Sequence, residues 1–304
     1  MNSSQHDMPQ VTRRSVLKAL SSVPLLPLGA GSINAMLAGY ANQVSAASVK
    51  SLGNFTVASF TNTPAPSLSN PAQMATNYVA SNFNVKLADG SKQSYKLAYE
   101  TFFTTGDMVP DGKGGKVLAG GNFDINNRPI IDRSVAGKER QFFSDCPDGT
   151  SLLSLPSAQV SGVKGKPVFA VVQFEYISRD QSGADTYGKV PSPIAVLTLD
   201  QDQTTGKLNL VKYHNVDTSK VHGLWITCGA SLSPWNTHLS SEEYEPDAFD
   251  TGDSKAGKQL RAFSKNLFGD ENRANPYHYG HMPEVTVHPD GTGSIKKHYC
   301  LGRI

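Results

Sequence analysis

The chain is short of cysteine. Only three occur among its 304 residues, at positions 146, 228 and 300. This density is too low for a fold held together by disulfides. The number is also odd, so at least one thiol stays free of any intramolecular pair. A Cys146–Cys300 disulfide is one pairing that the sequence leaves open, because spacing alone does not decide connectivity.

The chain also lacks an excess of charge of one sign, a long apolar run and the common nucleotide and nucleophile motifs. Its formal net charge is +2 with 18% charged residues, and no basic stripe with interleaved aromatics occurs, which argues against a nucleic-acid partner. The glycine-rich segment 112–121 has neither the P-loop Lys-Ser/Thr nor a Rossmann context, and Gly-x-Ser-x-Gly is absent. Nucleotide binding and nucleophile-elbow hydrolysis are therefore not predicted.

The N-terminus has the three parts of an export signal. Residues 12–18 contain the arginine pair Arg13-Arg14 followed by apolar residues, a pattern typical of twin-arginine signals. A weakly apolar region from Val23 to Leu37 is interrupted by prolines and is too short for a stable membrane anchor. Val44-Ser45-Ala46 resembles a cleavage site. We therefore predict a signal peptide at 1–47, the twin-arginine translocase as partner, and a periplasmic or secreted location for residues 48–304.

The remainder predicts an all-β fold with little helix. One helix is expected from Asn70 to Phe83, because Asn70 can cap it and Pro71 suits its first position. Apolar runs between turn signals predict strands. They are Lys96–Phe103, Val117–Gly120, Val168–Phe174, Ile194–Leu199, Leu208–His214, Gly223–Cys228 and Glu284–His288.

Two predicted hairpins have the same order of strand, acidic turn and strand. Their turns begin at Asp200 and Asp290, which are 90 residues apart, close to two propeller blades of about 40–45 residues each. A β-sandwich would produce the same hairpins.

The segment CGASLSPWNTHLSSEE, residues 228–243, combines a soft thiol with two adjacent carboxylates. Cys228 suits a borderline or soft metal, whereas Glu242 and Glu243 suit hard cations. The alternative is that Cys228 is a small buried apolar residue and that the glutamates belong to a solvated loop.

The same segment resembles the PhoX-type alkaline phosphatase family at the following positions: Cys228, Ser233-Pro234-Trp235, Thr237, Leu239 and Glu242-Glu243. Asn236 stands where the family usually has glycine. Residues 279–285, which contain Glu284, are similar to a second family segment. Glu175 lies in a third, Gln173-Phe174-Glu175-Tyr176, in which Gln173 and Phe174 depart from the family's Asn-His-Glu-Tyr.

The resemblance implies a partial β-propeller, the N-terminal blades of a phosphatase-like domain over residues 48–304. It implies a phosphate monoester as substrate and Fe³⁺ and Ca²⁺ as cofactors. The implied metal ligands are Cys228, Glu242, Glu243, Glu284 and, as a weaker candidate, Glu175; which glutamate holds which ion stays open. A Lys-His-x-x-Leu-Gly-Arg segment similar to residues 297–303 lies near mid-chain in the family. The chain is therefore expected to be a truncated, inactive N-terminal part that ends within a strand. A non-catalytic exported β-propeller that binds a ligand or partner is the alternative.

Overall fold

The computed structural model describes residues 55–303, except for 63–64, 66, 71 and 74–77. The predicted signal peptide at 1–47 lies outside the described residues. The described part is mostly β-strand, which confirms the predicted all-β class. The described residues divide into two compact units, one that extends to residue 100 and one that begins at residue 101.

The first unit contains a three-stranded antiparallel sheet of β1 (Phe55–Phe60), β2 (Tyr78–Leu87) and β3 (Lys92–Ala98), with β2 in the middle. The prediction of a helix up to Phe83 is wrong, because the chain is a strand from Tyr78 onward. The Phe83 ring lies between the rings of Phe60 and Tyr95, at centroid distances of 5.0 Å and 6.2 Å. Such cross-strand aromatic pairs stabilise a sheet, and here they outweigh the local helix-start signal.

The second unit begins with two short hairpins. β4 (Met108–Pro110) pairs with β5 (Lys116–Leu118), and β6 (Ile131–Asp132) pairs with β7 (Arg140–Gln141).

A four-stranded antiparallel sheet follows, the first sheet, with its strands side by side in chain order. They are β8 (Pro147–Leu153), β9 (Lys166–Phe174), β10 (Ile194–Gln201) and β11 (Leu208–Asn215). Alternate side chains of β9 and β10 enter two different apolar clusters, so both faces of the sheet are covered. This double burial explains why β9 and β10 are almost uninterrupted apolar runs in the sequence.

The second sheet has the same chain-order arrangement. It consists of β12 (Thr227–Leu232), β13 (His238–Glu242), β14 (Pro283–Val287) and β15 (Gly293–Lys297). The helix α1 (Lys255–Phe268) lies in the connection between β13 and β14. Ser254 caps its start and Gly269, in the left-handed conformation, ends it. Leu260, Phe263 and Leu267 are its buried apolar residues.

The two sheets pack against each other, and β12 lies beside β8. The approach is close at Gly149 of β8. A Cβ atom there would lie 2.5 Å from the Cβ of Ala230 and 2.6 Å from the carbonyl oxygen of Cys228. Only glycine allows this contact. As a result, the start of β8, the end of β9 and the start of β12 come together.

The structure corrects three details of the sequence-based interpretation. The two similar hairpins, β10–β11 and β14–β15, are the third and fourth strands of consecutive sheets. The 90-residue offset therefore spans one sheet repeat, not two. Of the predicted strand Gly223–Cys228, only the part from Thr227 is strand. Tyr299–Leu301 forms a short 3-10 helix and not a strand.

Candidate metal centre

Asp148, Glu175 and Cys228 form a compact group of metal-ligand side chains. One ligand atom from each lies within 4.8 Å of the others, and the group is part buried, part exposed. Among the described residues, it is the one place where three or more His, Cys, Asp or Glu donor atoms converge. Two of the five predicted ligands, Glu175 and Cys228, are thus brought together, and Asp148 joins them.

The strand ends place these groups. Asp148 is the second residue of β8 and Glu175 directly follows β9, where Pro147 and Phe174 are register partners. The Glu175 amide donates to the Cys146 carbonyl at 2.9 Å, which fixes the first turn after the strand.

A buried network holds the backbone of Cys228 from the first sheet. The Gln173 side-chain amide donates to the Cys228 carbonyl, and also to that of Gly229 at 3.3 Å. His238 lies 3.1 Å from Gln173 Oε1 through Nε2 and 2.9 Å from Ser151 Oγ through Nδ1. Burial lowers the pKa of His238 to about 4, so its ring is neutral, donating to the Gln173 oxygen and accepting from the serine. Gln173, which departs from the family pattern, therefore has a defined role here.

Glu243 lies close enough to act on this group, and the backbone around it is strained. Its amide donates to the Ile226 carbonyl at 3.0 Å. Ile226 has φ 33° and Tyr244 has φ 49°, although neither is glycine. Positive φ at a β-branched residue is a true outlier, and such strain is found preferentially at functional sites.

The group is electron-rich, and two of its members, Cys228 and Glu175, have raised pKa values. Burial raises the pKa of Cys228 to about 12, together with a hydrogen bond to Asp148 and the negative charges of Asp148, Glu243 and Glu175. Burial also raises the pKa of Glu175. The Cys146 thiol, which donates to Glu175 Oε2 at 3.4 Å, acts against this shift, whereas Asp148 and Glu243 add to it. A cation is what would reverse these shifts, because it favours every deprotonated form at once.

Glu242 lies in a different environment from its neighbour Glu243. Oε1 accepts from Lys297 Nζ and the Trp225 amide, both at 2.8 Å. Oε2 accepts from the amides of Gly280 at 3.0 Å and His281 at 3.1 Å. The Glu242 and Lys297 side chains are both fully buried. Protein donors thus occupy all four acceptor positions of this carboxylate.

Glu284 is also surrounded by protein donors. Oε1 accepts from Trp235 Nε1 and Thr237 Oγ1, both at 2.6 Å. Oε2 accepts from His298 Nε2 at 2.7 Å and Lys296 Nζ at 3.0 Å. Burial acts to raise the pKa of Glu284, but these four hydrogen bonds outweigh it and lower the pKa to about 2. The structure does not bring Glu242 or Glu284 into the Cys228 group.

The turn between β12 and β13 explains the one substitution in the 228–243 segment. Asn236 has φ 66°, in the left-handed region that glycine and asparagine adopt most readily. Its side chain also donates to the Ser154 carbonyl at 3.1 Å. Asparagine can therefore replace the glycine expected here without changing the turn.

Sequence reasoning missed Asp148 and the second thiol beside Glu175. Both belong to the run Asp145-Cys146-Pro147-Asp148, whose mixture of thiol and carboxylates was an available signal. All three cysteines are free thiols in the structure, so the Cys146–Cys300 pairing left open above is not formed.

Comparison of the chain with family models, with curated proteins and with solved structures gave no match. In the described part of the chain, every helix is too short or too polar to span a bilayer.

Proposed function

We propose that this protein is a metal-dependent phosphate monoester hydrolase whose cation binds at Asp148, Glu175, Cys228 and Glu243. One observation supports the cation site above the others: a thiol and carboxylates converge within 4.8 Å. The other buried glutamates are each neutralised by a lysine or histidine. The assignment as a phosphatase depends in addition on the resemblance of residues 228–243 and 279–285 to the PhoX-type alkaline phosphatase family.

The donor set fits iron better than calcium. A thiolate with carboxylates suits a borderline metal such as iron. Calcium takes six to eight oxygen ligands, more than Asp148, Glu175 and Glu243 supply unless each binds bidentately. Iron is therefore the proposed resident ion of this group. Calcium stays a proposed cofactor without an assigned site, and Glu242 and Glu284 become structural carboxylates in this proposal.

The chain's own residues would position and tune the site. A bound ion would act as a Lewis acid toward the phosphoryl oxygens of the substrate. Gln173 fixes the Cys228 backbone, and the Ser192 hydroxyl fixes that of Glu175 by donating to its carbonyl at 2.5 Å. Cys228 must lose its proton to become a ligand, so uptake of the ion should release protons and weaken as the pH falls.

The finer fold assignment is a partial β-propeller, with the two four-stranded sheets as consecutive blades. Support comes from their shared chain-order topology and from β12 lying beside β8, since propellers repeat such sheets around a central channel. Export by the twin-arginine translocase to the periplasm or medium is proposed from residues 12–47. That route carries proteins that fold, often with a cofactor, before they cross.

Metal content and hydrolysis should be measured on the same preparation. Iron and calcium are quantified by mass spectrometry after reconstitution, and p-nitrophenyl phosphate turnover is followed with and without chelator. Cys228→Ser should lower bound iron by about tenfold or more and remove chelator-sensitive turnover. Cys300→Ser, at an exposed thiol, is the matched control and should change neither.

Each outcome has a distinct meaning. Wild-type iron content in Cys228→Ser would contradict the site. Iron binding without turnover would support the metal site and would favour an exported protein that holds a ligand without chemistry over hydrolysis by this chain.

A further inference from the structure

A cavity of about 340 Å³ lies at the end of the first sheet where β10 begins and β11 ends. Its volume is within the range of small-molecule sites, about 300–1,000 Å³. Most of its wall is apolar, including Phe123, Pro191 and Ile194. A ligand with an apolar body would therefore displace water from this wall favourably.

Two buried amide oxygens at the cavity are acceptors without a donor among the described residues. Asn215 lines the wall, and its buried Oδ1 has no hydrogen-bond partner in the described structure. Asn122 lies directly behind the wall, where its side-chain amide donates to the Pro191 carbonyl at 2.7 Å. Its own Oδ1 is also buried without a partner among the described residues. Two buried acceptors without donors are uncommon in a native protein.

Asp217 is the one charged group among the described residues that line the wall. Burial acts to raise its pKa, but hydrogen bonds from Ser219 and Asn127 outweigh burial and lower it, so Asp217 is a carboxylate at neutral pH. In the part of the chain that the structure describes, no lysine, arginine or histidine lines the cavity. Anions, phosphate included, therefore find no charge partner there.

We propose that this cavity binds a small organic amine, an apolar body with an ammonium head that donates to Asn215 Oδ1 and faces the Asp217 carboxylate. The wall is fixed in place before a ligand binds, because the backbone amide of Ser192, between Pro191 and Pro193, donates to the Leu224 carbonyl at 3.0 Å. The inference does not depend on the proposed hydrolase activity.

Three probes with the same ring test it by calorimetric titration of the full chain: benzylamine, benzyl alcohol and benzoate. Benzylamine should bind most tightly, benzyl alcohol more weakly, and benzoate not measurably. Asn215→Leu keeps the side-chain size but removes the acceptor, and should weaken benzylamine binding about tenfold. The free energy of unfolding of Asn215→Leu should not fall, because the substitution removes a buried acceptor that has no hydrogen-bond partner among the described residues. Asn209→Leu, at an exposed position of the same strand, is the matched control and should bind like wild type.

Asp217→Asn provides an independent variant at an exposed position, which keeps the fold testable if Asn215→Leu does not fold. It should weaken benzylamine binding and leave benzyl alcohol binding unchanged. Equal affinity for all three probes, absence of benzylamine binding, or wild-type affinity in Asp217→Asn would overturn the proposal.

Discussion

Replacing Glu284 by glutamine should destabilise the fold instead of emptying a metal site. The side chain is 1% exposed and accepts four hydrogen bonds from Trp235, Thr237, Lys296 and His298. These contacts lower the pKa of Glu284 from 4.5 to about 2. A difference of this size between the unfolded and folded states corresponds to about 3 kcal/mol of stability at pH 7. Glutamine keeps the shape but loses this charge-dependent part.

The stabilisation by the Glu284 carboxylate should depend on pH in a defined direction. Because the folded-state pKa lies below the unfolded one, the stabilisation is complete above about pH 5 and is lost as the pH falls toward 2. The stability difference between wild type and Glu284→Gln should therefore be largest at pH 7. By pH 3 it should have fallen by roughly half or more. Other carboxylates titrate in the same range, but they do so in both proteins and cancel in the difference.

Urea denaturation of the metal-free proteins at pH 7, 5 and 3 measures this difference directly. Glu271→Gln, at an exposed glutamate, is the control and should change stability by less than about 0.5 kcal/mol. Iron content should be unchanged in Glu284→Gln. Wild-type stability of the metal-free variant combined with lost metal would refute the reasoning and return Glu284 to the ligand set.

Three further predictions concern other parts of the chain. Lys297→Met should lower the free energy of unfolding by about 3–5 kcal/mol in urea denaturation, because it leaves the buried Glu242 carboxylate without its cation. Adding Glu242→Gln should restore part of this loss. If it restores none, the ion pair is not the cause. Asn236→Ala should lower the free energy of unfolding by about 1–2 kcal/mol, because alanine tolerates φ 66° poorly. Asn236→Gly should lower it by less. Equal losses in the two variants would show that the backbone conformation is not the cause. Arg13→Lys combined with Arg14→Lys should leave the precursor in the cytoplasm, as judged by fractionation and immunoblotting, and normal export would contradict the twin-arginine interpretation.

Three strands of the first sheet, β9, β10 and β11, were predicted from the sequence, whereas β8 and the helix α1 were not. β9 and β10 are buried on both faces, so their apolar runs are long and unmistakable. In α1 the apolar positions are separated by lysines, an arginine and Gly257, and only contact with Trp225 and Tyr279 makes the helix stable. The incorrect helix around residues 70–83 has the opposite cause, a strong local start signal overridden by pairing of β2 with two neighbours.

For the candidate site, the sequence predicted single residues better than their grouping. Cys228 and Glu175 lie together as predicted, but Asp148 joins them only because β8 and β12 lie side by side at Gly149. That contact between two sheets has no local sequence pattern. Glu242 is the last residue of β13 and Glu243 directly follows the strand, so the two do not share an environment despite their adjacency. Glu242 forms a buried ion pair with Lys297, whereas Glu243 lies near the Cys228 thiol.

The position of the candidate centre also has a consequence for unfolding. Asp148 lies in the first sheet and Glu175 directly follows its strand β9, whereas Cys228 lies in the second sheet. An ion held by all three would tether the two sheets across their seam and would bind the separated sheets poorly. By mass action, ion concentration would then control how often the sheets part, with about 2.7 kcal/mol gained at a hundredfold excess over the dissociation constant. Amide exchange at the β8–β12 seam would therefore report on the ion more sensitively than exchange in the apolar centre of the first sheet.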